Sequence, residues 1–136
     1  MLKEIRKAKK AGDCWDIAIK QRRDSKEEAS ALRKYLKLTS HIQSLLNIYC
    51  NFFMVRNEAK RRILHFATSF RRCMAILYHA EYVPELKFLL LYRALGFAEN
   101  IHQYEKLLKY FKDDSEGAYI CRERISELST PAKKAA

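Results

Sequence analysis

Between Gly12 and Pro84 the chain runs for 71 residues without a glycine or a proline. A β-rich fold needs a turn every ten residues or so, and those two residues are the strongest turn markers. Long helices joined by short polar breaks need neither. Across all 136 residues there are three glycines and two prolines, while 49% of residues are apolar and 32% charged. That mixture suits amphipathic helices with solvated outer faces, and the expected class is all-α.

Two capping boxes punctuate the gap. Ser25-Lys-Glu-Glu28 predicts a helix to about Lys37, and Ser40-His-Ile-Gln43 predicts the start of the next. From Ile42 the apolar positions step by three and four through Leu45, Tyr49, Phe52, Ala59, Ile63, Phe66, Phe70, Cys73, Leu77 and Ala80, interrupted only by Arg56. A period of 3.5 held that long predicts one central helix over 41–82, roughly 60 Å long, in an up-and-down bundle of four to five helices. The competing reading breaks the helix near Arg56-Asn57. Pro84 opens a further helix, with Leu86, Leu90, Arg93, Phe97, Ile101, Tyr104, Leu108 and Phe111 on its buried side. Asp113 to Gly117 reads as a loop, and a last helix spans about Ala118 to Leu128. Trp15 and Ile19, one turn apart, pin an N-terminal helix to the rest. Residues 1–128 are thus expected as a single domain with a basic segment at 1–24, and 129–136 as a disordered tail. No internal repeat of fixed period is evident.

The four cysteines, Cys14, Cys50, Cys73 and Cys121, lie 36, 23 and 48 residues apart, too far for a zinc knuckle or a redox pair. They read as reduced thiols in an intracellular protein, cytoplasmic or nuclear. No stretch reaches 18 apolar residues, so no membrane span is expected.

Charge is divided unevenly. Residues 1–80 hold 18 Lys/Arg against 7 Asp/Glu, a net of +11, whereas residues 81–136 hold 9 of each. Such asymmetry points to an acidic partner for the first 80 residues. On one continuous helix Lys60-Arg61 and Arg71-Arg72, eleven residues apart, would share a face with His65 and Thr68. Guanidinium groups in register suit phosphate oxygens, which they can grip bidentately. The candidate nucleic-acid-binding set is therefore Arg22, Arg23, Arg33, Lys34, Lys60, Arg61, Arg71 and Arg72, with RNA favoured over DNA because no helix-turn-helix spacing occurs.

Motifs of catalysis are missing: there is no Gly-rich phosphate loop, zinc-protease helix, nucleophile elbow or calcium loop. No metal or cofactor is expected. Arg72 and His79, with six residues between them, resemble the Arg-x(4–6)-His signature of HEPN-type ribonucleases, which are small helical bundles. That resemblance implies an RNA-cleaving pair at a dimer cleft. With twelve arginines and four histidines, however, about one such spacing arises by chance. The residue after the family's arginine is polar, and here it is Cys73 on the core stripe. The expectation is a non-enzyme. Most aromatics fall on core stripes; Tyr35, Tyr78, Tyr82 and Tyr92 do not, and are the candidates for contact with a partner. A basic helical bundle on an RNA backbone is the leading reading. The alternative is a helical adaptor that assembles with itself or another helical protein.

Overall fold

The computed structural model describes residues 2–130, with Leu2 described in its backbone alone. The chain is all-α: 76% is helical and no strand occurs among the described residues. They group into two compact units, Met1–Phe66 and Ala67–Ala136, and the charge follows that division. Residues 1–66 hold 16 Lys/Arg against 7 Asp/Glu, a net of +9; residues 67–136 hold 11 against 9, a net of +2.

The first unit contains α1 (Leu2–Lys7), α2 (Ala11–Ile19), α3 (Lys26–Leu38), α4 (Ile42–Asn51), a 3-10 turn at Phe53–Val55, and α5 (Arg56–Phe66). α2 pairs with α3, α4 pairs with α5, and α3 joins the pairs by packing on α5. Helix α3 begins where the first capping box places it: Ser25 Oγ accepts from Glu28 N at 3.1 Å. Glu28 Oε1 reaches back to accept from Asp24 N, also at 3.1 Å, which explains how a carboxylate stays buried there. Asp24 takes a positive φ of 60°, the left-handed geometry that turns the chain from α2 into α3. The core is Cys14 and Ala18 of α2, Leu32 and Leu36 of α3, Leu45, Ile48 and Tyr49 of α4, and Ala59 and Ile63 of α5.

The second unit contains α6 (Phe70–Ala80), α7 (Pro84–Phe97), α8 (Ile101–Leu108) and α9 (Glu116–Leu128). α6 pairs with α7 and α8 with α9, and α7 also touches α8 and α9. Three N-caps of one kind start α6, α8 and α9. Ser69, Asn100 and Ser115 accept from Arg72 N, Gln103 N and Ala118 N respectively. Pro84 occupies the first turn of α7, as its fixed φ favours.

The long central helix is not continuous. α4 ends at Phe52, whose backbone leaves the helical region (φ −125°, ψ 87°), and α5 ends at Phe66 before Ser69 caps α6. The first break lies four residues ahead of the alternative break at Arg56. It lets Phe52 lie edge-on to Trp15 at 5.9 Å, under the Arg23 guanidinium at 4.0 Å. Arg56 instead stays helical and stacks over the Tyr49 ring at 4.4 Å. At the second break the Ala67 carbonyl, left without a helical partner, accepts from Arg93 Nε at 2.7 Å. Within each unit most of the stripe is buried all the same: Leu45, Tyr49, Phe52, Ala59 and Ile63 in the first, Phe70, Cys73, Leu77 and Ala80 in the second, while Ile42 and Phe66 at helix ends are half-exposed.

Several finer expectations change. His41, not Ser40, is the N-cap of α4, because Thr39 Oγ1 takes the His41 N–H and holds that residue outside the helix. Ile19 is 60% exposed, and Cys14 and Ala18 fill the core position that its spacing from Trp15 predicts for it. The run from Pro84 to Phe111 splits at Ala98 to Asn100; α7 buries Leu86, Leu90, Leu91 and Ala94, a side that leaves Arg93 and Phe97 outward, and α8 buries Tyr104 and Leu107. A recurrence also emerges that residue identities hide. The four helix pairs begin at Ala11, Ile42, Phe70 and Ile101, spacings of 31, 28 and 31 residues. The residues preceding them, Lys10, His41, Ser69 and Asn100, share no identity, so the period lives in the helix ends and not in a repeated motif. Of the tail expected to be disordered, Ser129 and Thr130 close α9 and the remainder lies outside the described residues.

Candidate functional site

Within the first unit, α3 and α5 pack so that a groove of about 330 Å³ opens between their outer edges. Arg33, Leu36 and Lys37 of α3 line one side; Glu58, Arg61, Arg62 and His65 of α5 line the other. The helical period explains the set. Arg33 and Lys37 are one turn apart, as are Glu58 and Arg62, and Arg61 and His65. Four cations thus meet one carboxylate over an apolar floor. Glu58 Oε1 pairs with Arg33 Nε at 3.4 Å across the groove, with both side chains part-exposed, so that ion pair contributes little to stability.

Arg62 is the built element of the groove. Its Nη2 donates to the carbonyls of Lys37 (3.3 Å) and Thr39 (3.4 Å), where α3 runs out of intrahelical donors. Its guanidinium also lies 4.7 Å from the Phe66 ring centroid. Arg62 Nε is buried with no hydrogen-bond partner among the described residues. Arg61 and Lys37 are exposed, and their side chains make no hydrogen bond or ion pair among those residues. A concave surface carrying uncompensated positive charge focuses its field outward, which suits an anion with several oxygens.

The eight cations nominated from the sequence separate into different jobs. Lys34 Nζ donates to the carbonyls of Ile5 and Arg6 and so ties down the end of α1. Arg23 donates to the Asn51 carbonyl at the end of α4 and stacks on Phe52. Cations at helix C-termini satisfy orphan carbonyls and oppose the negative end of the dipole, so part of the +9 is structural. Arg33 and Arg61 belong to the groove; Lys60 is half-buried on α5, and Arg22 is exposed in the α2–α3 loop. Arg71 and Arg72 stand on α6 in the second unit, and Arg72 Nη1 donates to Thr68 Oγ1 at 3.0 Å. The continuous helix that was to align them with Lys60-Arg61 ends at Phe66. Lys37 and Arg62 fell outside the nominated set, yet their helical spacing from Arg33 and Glu58 was signal enough to include them.

The tyrosines separate too. Tyr35 is core, its ring tilted 47° against Trp15 with centroids 5.6 Å apart, and Tyr92 is half-buried between Phe88 (4.7 Å) and Phe111 (5.3 Å). Tyr78 and Tyr82 are 77% and 69% exposed. Cys73, beside the Arg72/His79 pair, is buried as the stripe requires. Burial pushes the thiols of Cys14, Cys73 and Cys121 up from their ordinary value, while Cys50 is exposed. On the second unit a shallow depression of about 490 Å³, lined by Glu99, Asn100, Ile101, His102 and Leu128, has no lysine or arginine.

Among the described residues no group of three His, Cys, Asp or Glu side chains could hold a metal ion, and no helix is long and apolar enough to cross a membrane. Comparison with protein-family models, curated proteins and solved structures finds no match.

Proposed function

We propose that the protein is a non-enzymatic nucleic-acid-binding protein whose first unit grips an RNA backbone, working inside the cell in the cytoplasm or nucleus. The observation that carries this reading is the α3–α5 groove, where Arg33, Lys37, Arg61 and Arg62 face one carboxylate. Phosphate contacts of this kind position a strand without reading its sequence. The double reversal Lys37→Glu with Arg61→Glu removes two unpaired cations and no buried group. It is expected to weaken binding of a bulk single-stranded RNA at about 50 mM salt by at least tenfold, for every sequence alike. Unchanged affinity in that variant excludes the groove. RNA recovered from the mixture is expected uncut; cleavage that vanishes in His79→Ala establishes a ribonuclease instead.

A second reading, a helical adaptor that binds itself or a helical protein, draws on the recurring helix pairs. Arrays of such pairs bury their faces on neighbours and present extended binding surfaces. Tyr78 and Tyr82, exposed one turn apart at and just beyond the end of α6, are the contact candidates. The adaptor reading expects a higher mass in light scattering that Tyr78→Ala reduces, with RNA binding absent throughout.

A further inference from the structure

A second pocket in the first unit, about 200 Å³, is lined by Trp15 of α2, Tyr35 of α3, and Ser44 and Asn47 of α4. A space of that size has room for one flat heteroaromatic ring system. Two of its walls are aromatic, with Trp15 half-buried against Tyr35 and Phe52.

The polar groups give the pocket its character. Among the described residues no partner takes the Trp15 indole N–H or the Tyr35 hydroxyl. Neither tip is buried without a partner, as Arg62 Nε is, so both open to solvent in the pocket and are free to bond a ligand. Asn47 Oδ1 accepts from Asn51 Nδ2 at 2.6 Å, which fixes the carboxamide and leaves its own NH2 to donate. Ser44 Oγ lies 3.3 Å from His41 Nδ1 and keeps acceptor capacity. Donors and acceptors around an aromatic wall, with no charged side chain lining the pocket, describe a site for a neutral ring with hydrogen-bonding edges.

We infer that this pocket binds one unpaired nucleobase. The inference rests on the nucleic-acid reading only for the source of the base, a single strand. The pocket is separate from the groove: Tyr35 lies on the opposite side of α3 from Arg33 and Lys37, which sit two residues to either side of it. Phosphates flanking the base would meet the α2–α3 loop, where Arg22 is exposed and Arg23 leans over Phe52, the neighbour of Trp15.

Trp15 is the only tryptophan in the chain, so its fluorescence reports on the pocket alone. The full-length protein is titrated with a single-stranded oligoribonucleotide, its deoxyribo counterpart, an abasic oligomer of the same length, and a nucleoside monophosphate. The inference expects the base-bearing strands to quench Trp15 and to bind about 5- to 150-fold more tightly than the abasic strand, the range that one stacked base contributes. Asn47→Ala, an exposed change, is expected to reduce that advantage by about two- to tenfold while leaving abasic binding unaltered. Equal affinity for base-bearing and abasic strands with Trp15 unquenched overturns the pocket and leaves backbone binding standing. Quenching by the monophosphate with no strand bound upholds the pocket and overturns the backbone reading. Silence from all four ligands overturns both.

Discussion

Lys34 and Lys37 stand one turn apart on α3, carry the same charge, and are assigned opposite roles. Lys34 Nζ donates to two carbonyls at the end of α1, whereas the Lys37 side chain has no partner among the described residues. Replacing Lys34 by methionine keeps most of the aliphatic stem and removes the donor. A hydrogen bond from a charged group contributes about 1.5–3 kcal/mol when buried. Lys34 is part-exposed, so both bonds together, with the attraction to the helix dipole, are worth about 1–2 kcal/mol. Lys37→Met is expected to stay within about 0.5 kcal/mol of wild type. For a unit of this size each kcal/mol moves the melting midpoint by about 4–8 °C. Urea unfolding followed by Trp15 fluorescence reads the first unit directly, and the midpoint should shift at constant slope. RNA affinity should reverse the ranking, falling more in Lys37→Met than in Lys34→Met. Equal stability losses in the two variants, or a loss under about 0.5 kcal/mol for Lys34→Met, refute the division of the basic residues into structural and ligand-facing sets.

Other expectations concern packing and the thiols. Phe70→Ala, which empties a core position of α6, is expected to cost about 3–5 kcal/mol in a thermal or urea melt; a loss below about 1 kcal/mol contradicts its burial. Gly117→Ala places a methyl 2.3–2.5 Å from the Phe111 ring, closer than carbons tolerate, and is expected to destabilise by about 1–3 kcal/mol; a neutral result means Phe111 moves aside freely. Cys14, Cys73 and Cys121 have thiols raised above 9.0 by burial, so unfolding lets them ionise more readily. Their contribution to stability is complete below about pH 9 and declines as the pH rises through the raised folded values. At neutral pH a thiol reagent is expected to label Cys50 alone in the folded protein, and rapid labelling of all four contradicts the buried positions.

What the sequence made legible was governed by side-chain burial, and what it hid was governed by helix ends. The 3.5 period located Leu45, Tyr49, Ile63, Cys73 and Leu77 in the core because removing apolar surface from water dominates the energetics at those positions. It could not locate the breaks at Phe52 and Ala67 to Ser69. A break that leaves the spacing of apolar positions unaltered does not show in the periodicity. The signals that matter there are a single capping serine, worth about 1 kcal/mol, and tertiary contacts such as Arg93 to the Ala67 carbonyl. The repeat of helix pairs was hidden for the same reason. Charge was legible in amount and in its bias to the first half. Its use was not, because Lys34, Arg23 and Arg62 reach carbonyls on helices 23 to 29 residues away.

The central claim, backbone recognition by the cationic groove, is tested most directly by the salt dependence of RNA binding. Each phosphate contact releases counterions and adds about −0.7 to −0.9 to the slope of log K against log salt. Two to four contacts from Arg33, Lys37, Arg61 and Arg62 give a slope of about −1.5 to −3.5 for the wild type. Lys37→Glu with Arg61→Glu should flatten it by about 1.5 while the urea midpoint stays unchanged. A flat wild-type slope, or a steep one that the double reversal leaves intact, contradicts the groove as the site of binding.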